Sequence, residues 1–459
     1  MSTSEKHVKQ GVTTNLFDKY DVPVPRYTSY PTVPFWTDDP TTEQWLTELR
    51  KAARDPECSW AIYIHIPFCE SLCTFCGCNN VITTDHGREE PYIAMVLREL
   101  DLYLEAVPEL ADRPLRQLHL GGGTPTFMSP ENLTSLLEPA LAKLKVRSGV
   151  FDASAEVNPR VTTPEHLRAL YDSGFTRVSM GVQDFDPHVQ YLVNRVQPFE
   201  ITRDLTVAAR EMGYTSVNYD LIYGLPKQTK ESMRNTAELT VQLRPDRIAL
   251  YSFAKVPWIK PAQRLFKDED LPEGPDKREL YEIAREIFLN AGYVEIGMDH
   301  FALAHDPLSQ SQITGEIHRN FMGYTEFRTS ILLGLGVSAI SESPTCFHQN
   351  RKKVNEWDKD LQQGRIPTYR GHLLNEEDRH QRQQILEFMT RLRVDLDPEQ
   401  VDEAKQFLAP MVEDGLVEFS GRELRLLEKG KPFLRNATVF FDRRLRSAEP
   451  RTQIFSMSI

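Results

Sequence analysis

The chain passes from an apolar run into a group of cysteines between residues 63 and 76, where it reads YIHIPFCESLCTFC. The run at 62–67 is rich in apolar and β-branched side chains, which predicts a buried strand. Cys69, Cys73 and Cys76 follow it at spacings of four and three residues. A loop with this spacing can place three thiolates on three corners of an iron–sulfur cubane and leave one iron open. The stretch therefore predicts a strand that ends in a cluster-binding loop.

An open iron can be chelated by the amino and carboxylate groups of a methionine-type ligand, which brings a sulfonium within electron-transfer range. A zinc site is the alternative interpretation. Structural zinc normally takes four protein ligands, and Cys78 could be the fourth only from an awkward Cys-x-Cys spacing. Because the loop follows a predicted strand and faces a glycine loop, we favour the cluster.

Length and charge narrow the class of protein. The 459 residues are too many for one ordinary core, so we expect a catalytic domain of roughly 250 residues with smaller attachments. The net charge of −12 argues against a general nucleic-acid binder, although a local basic patch could still receive an acidic ligand.

The cysteines and the first residues of the sequence indicate the cellular compartment. Four of the six cysteines lie within ten positions, which indicates metal chemistry in a reducing compartment, while Cys58 and Cys346 are isolated and receive no role. No run approaches the ~18 apolar residues of a membrane span, and the polar first residues lack an export signal. We therefore expect a cytoplasmic protein without a membrane span.

Short apolar runs alternate with helical stretches along the chain. The runs predicted as strands are residues 62–67, 117–122, 151–157, 177–183, 216–224 and 247–253. Such alternation implies parallel strands joined by right-handed crossovers. The predicted fold class is α/β, a partial (β/α)6 barrel of the TIM type with an N-terminal extension and a mainly helical C-terminal domain.

The predicted domains follow from this pattern. They are an N-terminal extension (1–55) packing over the active site, the barrel (56–300), a capping or linking region (301–375), and a helical C-terminal domain (376–459) with a wing-like hairpin at 416–427. A helix followed by a hairpin resembles a winged helix. Since the chain is acidic, we favour a packing or lid role for it over DNA binding.

The distinctive residues fall at the C-terminal ends of the predicted strands, where barrel enzymes carry their chemistry. Gly121-Gly122-Gly123-Thr124-Pro125 ends the second strand and Glu156 the third. Without Cβ atoms, the glycines let the backbone approach a ligand and present amide N–H groups to a carboxylate. Glu156 and Asp220 suit ribose hydroxyls or an ammonium group, the alternative being solvated caps. Their convergence on one rim favours a functional site.

These motifs together resemble the radical S-adenosylmethionine (SAM) superfamily, and within it the oxygen-independent coproporphyrinogen III oxidases. The resemblance spans almost the whole chain and rests most on the Cys76-Gly77-Cys78-Asn79 segment and on residues 25–32. The family implies a [4Fe–4S] cluster, two SAM molecules, and a 5'-deoxyadenosyl radical that starts the oxidative decarboxylation of two propionates of coproporphyrinogen III to vinyls. It also implies a reductant, an electron acceptor and no nucleic acid, and we expect a monomer.

The resemblance also implies roles for particular residues. Cys69, Cys73 and Cys76 correspond to the cluster ligands, and Tyr63 and Glu156 to catalytic positions. The positions that correspond to the surroundings of SAM are Tyr63, Phe75, Gly122, Gly123, Thr124, Glu156, Gln183, Arg195, Asp220, Ala254 and Ile340. A guanidinium at Arg195 suits a methionyl carboxylate, the alternative being a surface cation. Arg26 is a candidate partner for a propionate.

One position departs from the family pattern. Met322 stands where the family usually has a glutamine, near the expected second SAM, and a thioether lacks the hydrogen bonds of an amide. Two alternatives therefore stay open: a haem-binding carrier or chaperone built on the same barrel, and a radical SAM enzyme acting on another tetrapyrrole.

Overall fold

The computed structural model describes residues 14–146, 151–448 and 454–459. One large sheet of twelve strands dominates it, and three small sheets lie apart from the large one. In the described part of the chain, no helix is long and apolar enough to cross a membrane.

The strands of the described residues are numbered in chain order. They are β1 Trp60–Ile66, β2 Phe68–Cys69, β3 Val81–Ile82, β4 Leu115–Gly122, β5 Asp152–Val157, β6 Arg177–Gln183, β7 Ser216–Tyr223, β8 Arg247–Ser252, β9 Tyr293–Ile296, β10 His300–Leu303, β11 His318–Asn320, β12 Gly323–Thr325, β13 Ile331–Leu335, β14 Ile340–Glu342, β15 Cys346–Asn350, β16 Thr368–Leu373, β17 Arg393–Asp395, β18 Val417–Ser420 and β19 Glu423–Leu426.

The α-helices are numbered in the same way. They are α1 Thr14–Tyr20, α2 Thr42–Ala53, α3 Glu89–Ala106, α4 Glu109–Asp112, α5 Pro130–Ala142, α6 Pro164–Asp172, α7 Pro187–Leu192, α8 Phe199–Met212, α9 Lys230–Leu243, α10 Gly274–Asn290, α11 Pro307–Thr314, α12 Val354–Gln362, α13 Glu376–Arg391, α14 Val401–Phe407, α15 Ala409–Glu413, α16 Leu434–Thr438 and α17 Arg443–Ala448.

The large sheet has the order β16-β15-β14-β13-β1-β4-β5-β6-β7-β8-β10-β9. Its middle, from β13 to β8, is parallel, and the strands at both ends pair antiparallel. All six runs predicted as strands form β1 and β4–β8 within this parallel part. A further parallel strand, β13, pairs with β1 over five residue pairs, so the range 301–375 contributes to the sheet itself.

Buried and partly buried side chains alternate along the middle strands, with one set in the hydrophobic core and the other facing the barrel interior. In β5, Ala153, Ala155 and Val157 are buried, while Asp152, Ser154 and Glu156 are only partly buried. β6 and β7 show the same period of two over most of their length. Since successive side chains of a strand point to opposite faces, the apolar set packs under the helices and the polar set faces the inside.

The two ends of the chain pack against each other. Leu16, Phe17 and Tyr20 of α1 join a hydrophobic cluster with α13, α16 and the β17–β19 sheet. Arg435 donates a hydrogen bond to the carbonyl of Pro25 at 3.0 Å, which fixes the extended leader. The predicted hairpin is present as β18 and β19, antiparallel over four residue pairs. In this arrangement the hairpin and α13 pack within that cluster.

Candidate active site

A cavity of about 490 Å³ opens at the C-terminal ends of the parallel strands and extends into the barrel. Most of the residues predicted for the site line it, namely Cys69, Cys73, Cys76, Phe75, Gly122, Gly123, Thr124, Glu156, Gln183, Arg195, Asp220 and Ala254. Pockets of this size commonly bind cofactors and small substrates. The sheet thus joins motifs that lie far apart in the sequence.

The three cysteines sit among hydrogen-bond donors. The Sγ of Cys73 lies 3.5 Å from Nη1 of Arg195 and 3.6 Å from Nη2 of Arg160, and the Sγ of Cys69 lies 3.3 Å from Oγ1 of Thr124. Sulfur at Cys76 accepts from the backbone amide of Cys78 at 3.4 Å. Donors and positive charge stabilise thiolates, so this donor set fits an iron–sulfur cluster.

The acidity of the thiols differs from one to the next. A hydrogen bond from the Cys78 thiol lowers the pKa of Cys76 to about 6, whereas burial raises the pKa of Cys69 to about 11. Binding of a cluster would therefore release the proton of Cys69. No three His, Cys, Asp or Glu side chains of the described residues are grouped to hold a single metal ion. A cubane does not require such a group, because each thiolate binds a different iron.

Two buried side chains that sequence reasoning missed hold the cysteine loop in place. Gln263, only 1% exposed, donates to the carbonyls of Phe75 at 3.1 Å and Ala254 at 3.2 Å. His65 Nε2 lies 2.8 Å from the carbonyl of Asn79. No sequence signal marks Gln263, because it lies in a short 3-10 helix, Pro261–Leu265, far along the chain from the cysteine loop that it binds.

The glycine loop packs directly on the strand before the cysteines. Gly122 has φ +116°, and a Cβ atom at Gly123 would lie 2.5 Å from the carbonyl oxygen of Pro67. Two of the amides predicted to face a ligand have partners within the protein. The amide of Gly122 donates to Oε2 of Glu156 at 3.1 Å, and that of Gly123 to the carbonyl of Ile66 at 2.7 Å. The glycines instead allow close packing against the cysteine loop.

Glu156 and Asp220 line the cavity in different electrostatic surroundings. Burial acts to raise the pKa of Glu156, but His119, whose Nε2 lies 3.5 Å away, and the Gly122 amide together hold it below its ordinary value. Burial and the charge of Glu156 raise the pKa of Asp220 to about 6. The Oγ of Ser179 donates to Asp220 at 2.9 Å. Glu156 is therefore ionised at neutral pH, whereas Asp220 changes its protonation state near pH 6.

Arg195 is buried rather than a surface cation. Its side chain reaches the carbonyl of Gly181 at 2.5 Å and Oδ1 of Asn158 at 3.3 Å, besides Cys73. Its Nε has no hydrogen-bond partner among the described residues. A fixed guanidinium next to the cysteines suits a ligand carboxylate.

Known proteins with similar sequences and structures agree with this geometry. A family model described as the radical SAM superfamily matches residues 63–240. The oxygen-independent coproporphyrinogen III oxidase of Escherichia coli strain K12 is 38% identical over 454 residues, which cover 97% of this chain and 98% of the relative. That of Helicobacter pylori strain J99 is 36% identical and covers 96% and 98%. The chain belongs to the oxygen-independent coproporphyrinogen III oxidase family.

The fold of this family member agrees with that assignment. A solved structure of coproporphyrinogen III oxidase from Escherichia coli, a radical SAM enzyme, matches it with a TM-score of 0.86 over 92% of this chain and 98% of the other, at 38% identity. The predicted family, α/β fold class and enzyme class are confirmed. A [4Fe–4S] cluster and SAM are the cofactors of this radical SAM enzyme.

Two predicted residues do not reach the cavity wall of the family member. Tyr63 stands behind it, stacked on His119 with ring centroids 5.8 Å apart. Ile340 lies in β14, where it packs beside an apolar cluster around Trp36 and Phe347. Met322 does line the cavity, at the turn between β11 and β12. Arg26 binds Asp299 at 3.0 Å, next to His300 of the cavity wall.

The floor of the cavity is an ion-pair network that sequence reasoning also missed. Glu326 accepts from Arg177 at 3.1 Å and from Arg247 at 2.9 Å. Arg177 also binds Asp152, and Arg247 also binds Asp306. Asp152, Arg177 and Arg247 are the first residues of their strands, so the sheet brings them to one level. The network closes the barrel at its N-terminal end.

Proposed function

We propose that the chain oxidatively decarboxylates two propionates of coproporphyrinogen III to vinyls, giving protoporphyrinogen IX for haem biosynthesis. One observation carries this proposal. A chain that is 38% identical over nearly its full length to a coproporphyrinogen III oxidase brings its cysteines, glycine loop and acids into one cavity. Each propionate that loses a β-hydrogen atom, carbon dioxide and one electron becomes a vinyl group.

Cys69, Cys73 and Cys76 are the proposed cluster ligands. The donors from Arg195, Arg160 and Thr124 support this, since they stabilise sulfur ligands. Bound there, the cluster would reductively cleave SAM to methionine and the 5'-deoxyadenosyl radical that abstracts the β-hydrogen. The protein positions the reacting carbon and keeps out water and oxygen.

Residues around the cavity divide the binding of SAM between them. Arg195 would hold the methionyl carboxylate, and Glu156 and Asp220 would bind the ammonium or ribose hydroxyls. Of the predicted catalytic pair, Glu156 would act from the cavity wall, whereas Tyr63 would act through His119, on which its ring stacks. A second SAM molecule would bind beside Met322, where the cavity extends towards its floor.

The remaining partners follow from the electron balance. One electron from a reductant enters for each SAM cleaved, and one leaves the substrate for an acceptor at each vinyl formed. Arg26, whose side chain is partly exposed beside Asp299, is a candidate to hold a propionate. We further propose a cytoplasmic monomer.

The test is anaerobic incubation of the reconstituted full chain with coproporphyrinogen III, dithionite and SAM, followed by porphyrin chromatography. We expect protoporphyrinogen with one 5'-deoxyadenosine for each vinyl, and no product from Cys69→Ser. SAM cleavage without vinyl products would indicate another tetrapyrrole substrate. Tight haem binding without cleavage would indicate a carrier.

Met322→Gln provides a second arm of this test. If wild type is a working decarboxylase, the variant should stay within a few-fold of its turnover. An amide restored in a partly buried site is worth about 0.5–1.5 kcal/mol, so affinity for SAM should rise no more than roughly three- to tenfold. An inactive wild type that the variant restores to full turnover would mean that the second SAM site is impaired in this chain.

A further inference from the structure

Two adjoining cavities lie at the other end of the barrel, below its ion-pair floor. Their volumes are about 490 and 540 Å³. They share four lining residues, Ile317, His318, Arg328 and Arg391, and so form one groove. Arg116, at the start of β4, and Ser330, just before β13, belong to its wall, which locates the groove at the N-terminal ends of the strands.

Five arginines and five glutamates line this groove, and the ion pairs among them decide which charges are left without a partner. Arg116, Arg328, Arg379, Arg382 and Arg391 line it. Neither Arg116 nor Arg328 has a hydrogen bond or ion pair with any residue that the structure describes. A guanidinium presents a planar fork of donors that matches carboxylate and phosphate oxygens. The guanidinium groups of Arg116 and Arg328 therefore line the groove without a partner among the described residues.

Three of the five glutamates that line the groove are held in ion pairs with arginines. Glu326 is bound by Arg177 and Arg247, and Glu342 by Arg382. Glu387 pairs with Arg391 one helical turn away at 3.3 Å. Glu57 and Glu316 also face the groove, at its margins. The ion pairs thus leave Arg116 and Arg328 without an acidic partner among the described residues, while the unpaired carboxylates of Glu57 and Glu316 lie at the margins.

His318 responds to this positive field. Burial and the charges of Arg382 and Arg328 lower the pKa of its imidazole to about 4, so it is neutral at physiological pH. Burial and Arg328 likewise lower the pKa of Arg382 to about 10. A site that disfavours additional positive charge favours a negative ligand.

The groove is connected to the active-site cavity by one hairpin. His318, at the start of β11, faces the groove, and Met322, at the turn, faces the catalytic cavity. Glu326, just after β12, lines both cavities. A ligand in the groove would therefore touch the same hairpin that presents Met322.

We propose that this groove binds an anionic ligand with two or more phosphate or carboxylate groups, held by Arg116 and Arg328 and contacting the β11–β12 hairpin. The site lies apart from the cluster loop and goes beyond the proposed decarboxylation. It would allow an acidic metabolite to act on the enzyme from the closed end of the barrel.

Calorimetry on the full chain tests the proposal with two probes, inorganic pyrophosphate and citrate, at a constant ionic strength of about 0.15 M. We expect saturable binding of at least one probe, weakened at least tenfold by Arg116→Gln combined with Arg328→Gln. Tighter pyrophosphate binding would assign a phosphate ligand, and tighter citrate binding a polycarboxylate. Arg203→Gln, on the exposed face of α8, is the control and should change affinity less than twofold.

Hydrogen exchange locates the bound probe independently of activity. Protection should appear in residues 316–328 and not in the cysteine loop. Absence of saturable binding by either probe, equal affinity in the double variant, or protection confined to residues 69–78 would each overturn the proposal.

Discussion

Glu156 and Asp220 line the same cavity, but their surroundings shift their pKa values in opposite directions. His119 and a backbone amide hold the pKa of Glu156 below its usual range against its burial, while burial and Glu156 raise that of Asp220 to about 6. Pairs of acids pushed apart in this way are typical of active sites. Asp220 is therefore the group whose charge changes near neutral pH.

At this scale we predict that Asp220→Asn weakens SAM binding roughly tenfold to a hundredfold without loss of iron, because a charge-assisted contact is worth about 1.5–3 kcal/mol. The raised pKa also fixes the sign of a pH effect. Asp220 is charged above about pH 6, so wild-type affinity should fall as pH decreases through 6.

Calorimetric titration of SAM between pH 5 and 8 measures both effects, with Asp204→Asn on the exposed surface as control. The variant should lose that part of the pH dependence. Unchanged affinity in Asp220→Asn would mean that the carboxylate lines the cavity without touching SAM.

Single residues were predictable where a strand pattern placed them. Glu156 and Asp220 face the cavity because an alternating strand fixes their side, which the sequence reveals. Gln263 was not predictable, since one of its two acceptors, Phe75, lies far from it in the chain. The pKa values likewise depend on neighbours that only the fold brings together.

Among the elements, the contact between β1 and the loop after β4 matters most for the site. The Gly123 amide binds the carbonyl of Ile66, and its Cα approaches Pro67 too closely for any side chain. A Cβ there would press on backbone atoms, which cannot move aside as a side-chain tip can. The loop's register against the cysteines depends on that glycine.

We therefore predict that Gly123→Ala lowers affinity for SAM at least tenfold while the chain stays folded. Gly77→Ala is the matched control within the cysteine loop, because a Cβ at Gly77 meets nothing within 4 Å. Iron content and SAM titration of both variants measure the effect. If the two alanine variants behaved alike, close packing at Gly123 would have no role in binding.

Strands were predictable from their own sequence, but the strands with which they pair were not. All six predicted runs form strands of the barrel, and the hairpin β18–β19 lies within one or two residues of its predicted place. The pairing of β13 with β1 was missed, because the two strands lie far apart in the chain and register is set by non-local contacts. Helix α11 was missed within a polar stretch that has weak periodicity.

For the molecule as a whole, the leader joins the barrel to the C-terminal domain. Arg319 of β11 donates to the carbonyls of Arg26 and Tyr27 at 2.7 Å, while Arg435 holds Pro25 from the other side. Prolines in the leader predicted an extended segment, but not the surfaces that it binds. Its contacts place Arg26 beside the wall of the active-site cavity.

Net charge describes the whole molecule but not its local sites. A chain of charge −12 still forms an arginine-lined groove at one end of its barrel and a guanidinium pair beside its cysteines at the other. Composition argues against a general nucleic-acid binder, whereas the position of each arginine is decided by the fold.

Iron and sulfide analysis of the anaerobically purified chain tests most directly whether three thiolates hold a cluster with one open iron. Wild type and Cys78→Ser should each carry about four irons and four sulfides, while Cys69→Ser, Cys73→Ser and Cys76→Ser should each lose the cluster. Stoichiometric zinc without iron absorbance in wild type, or loss of the cluster in Cys78→Ser, would contradict a cluster held by these three thiolates.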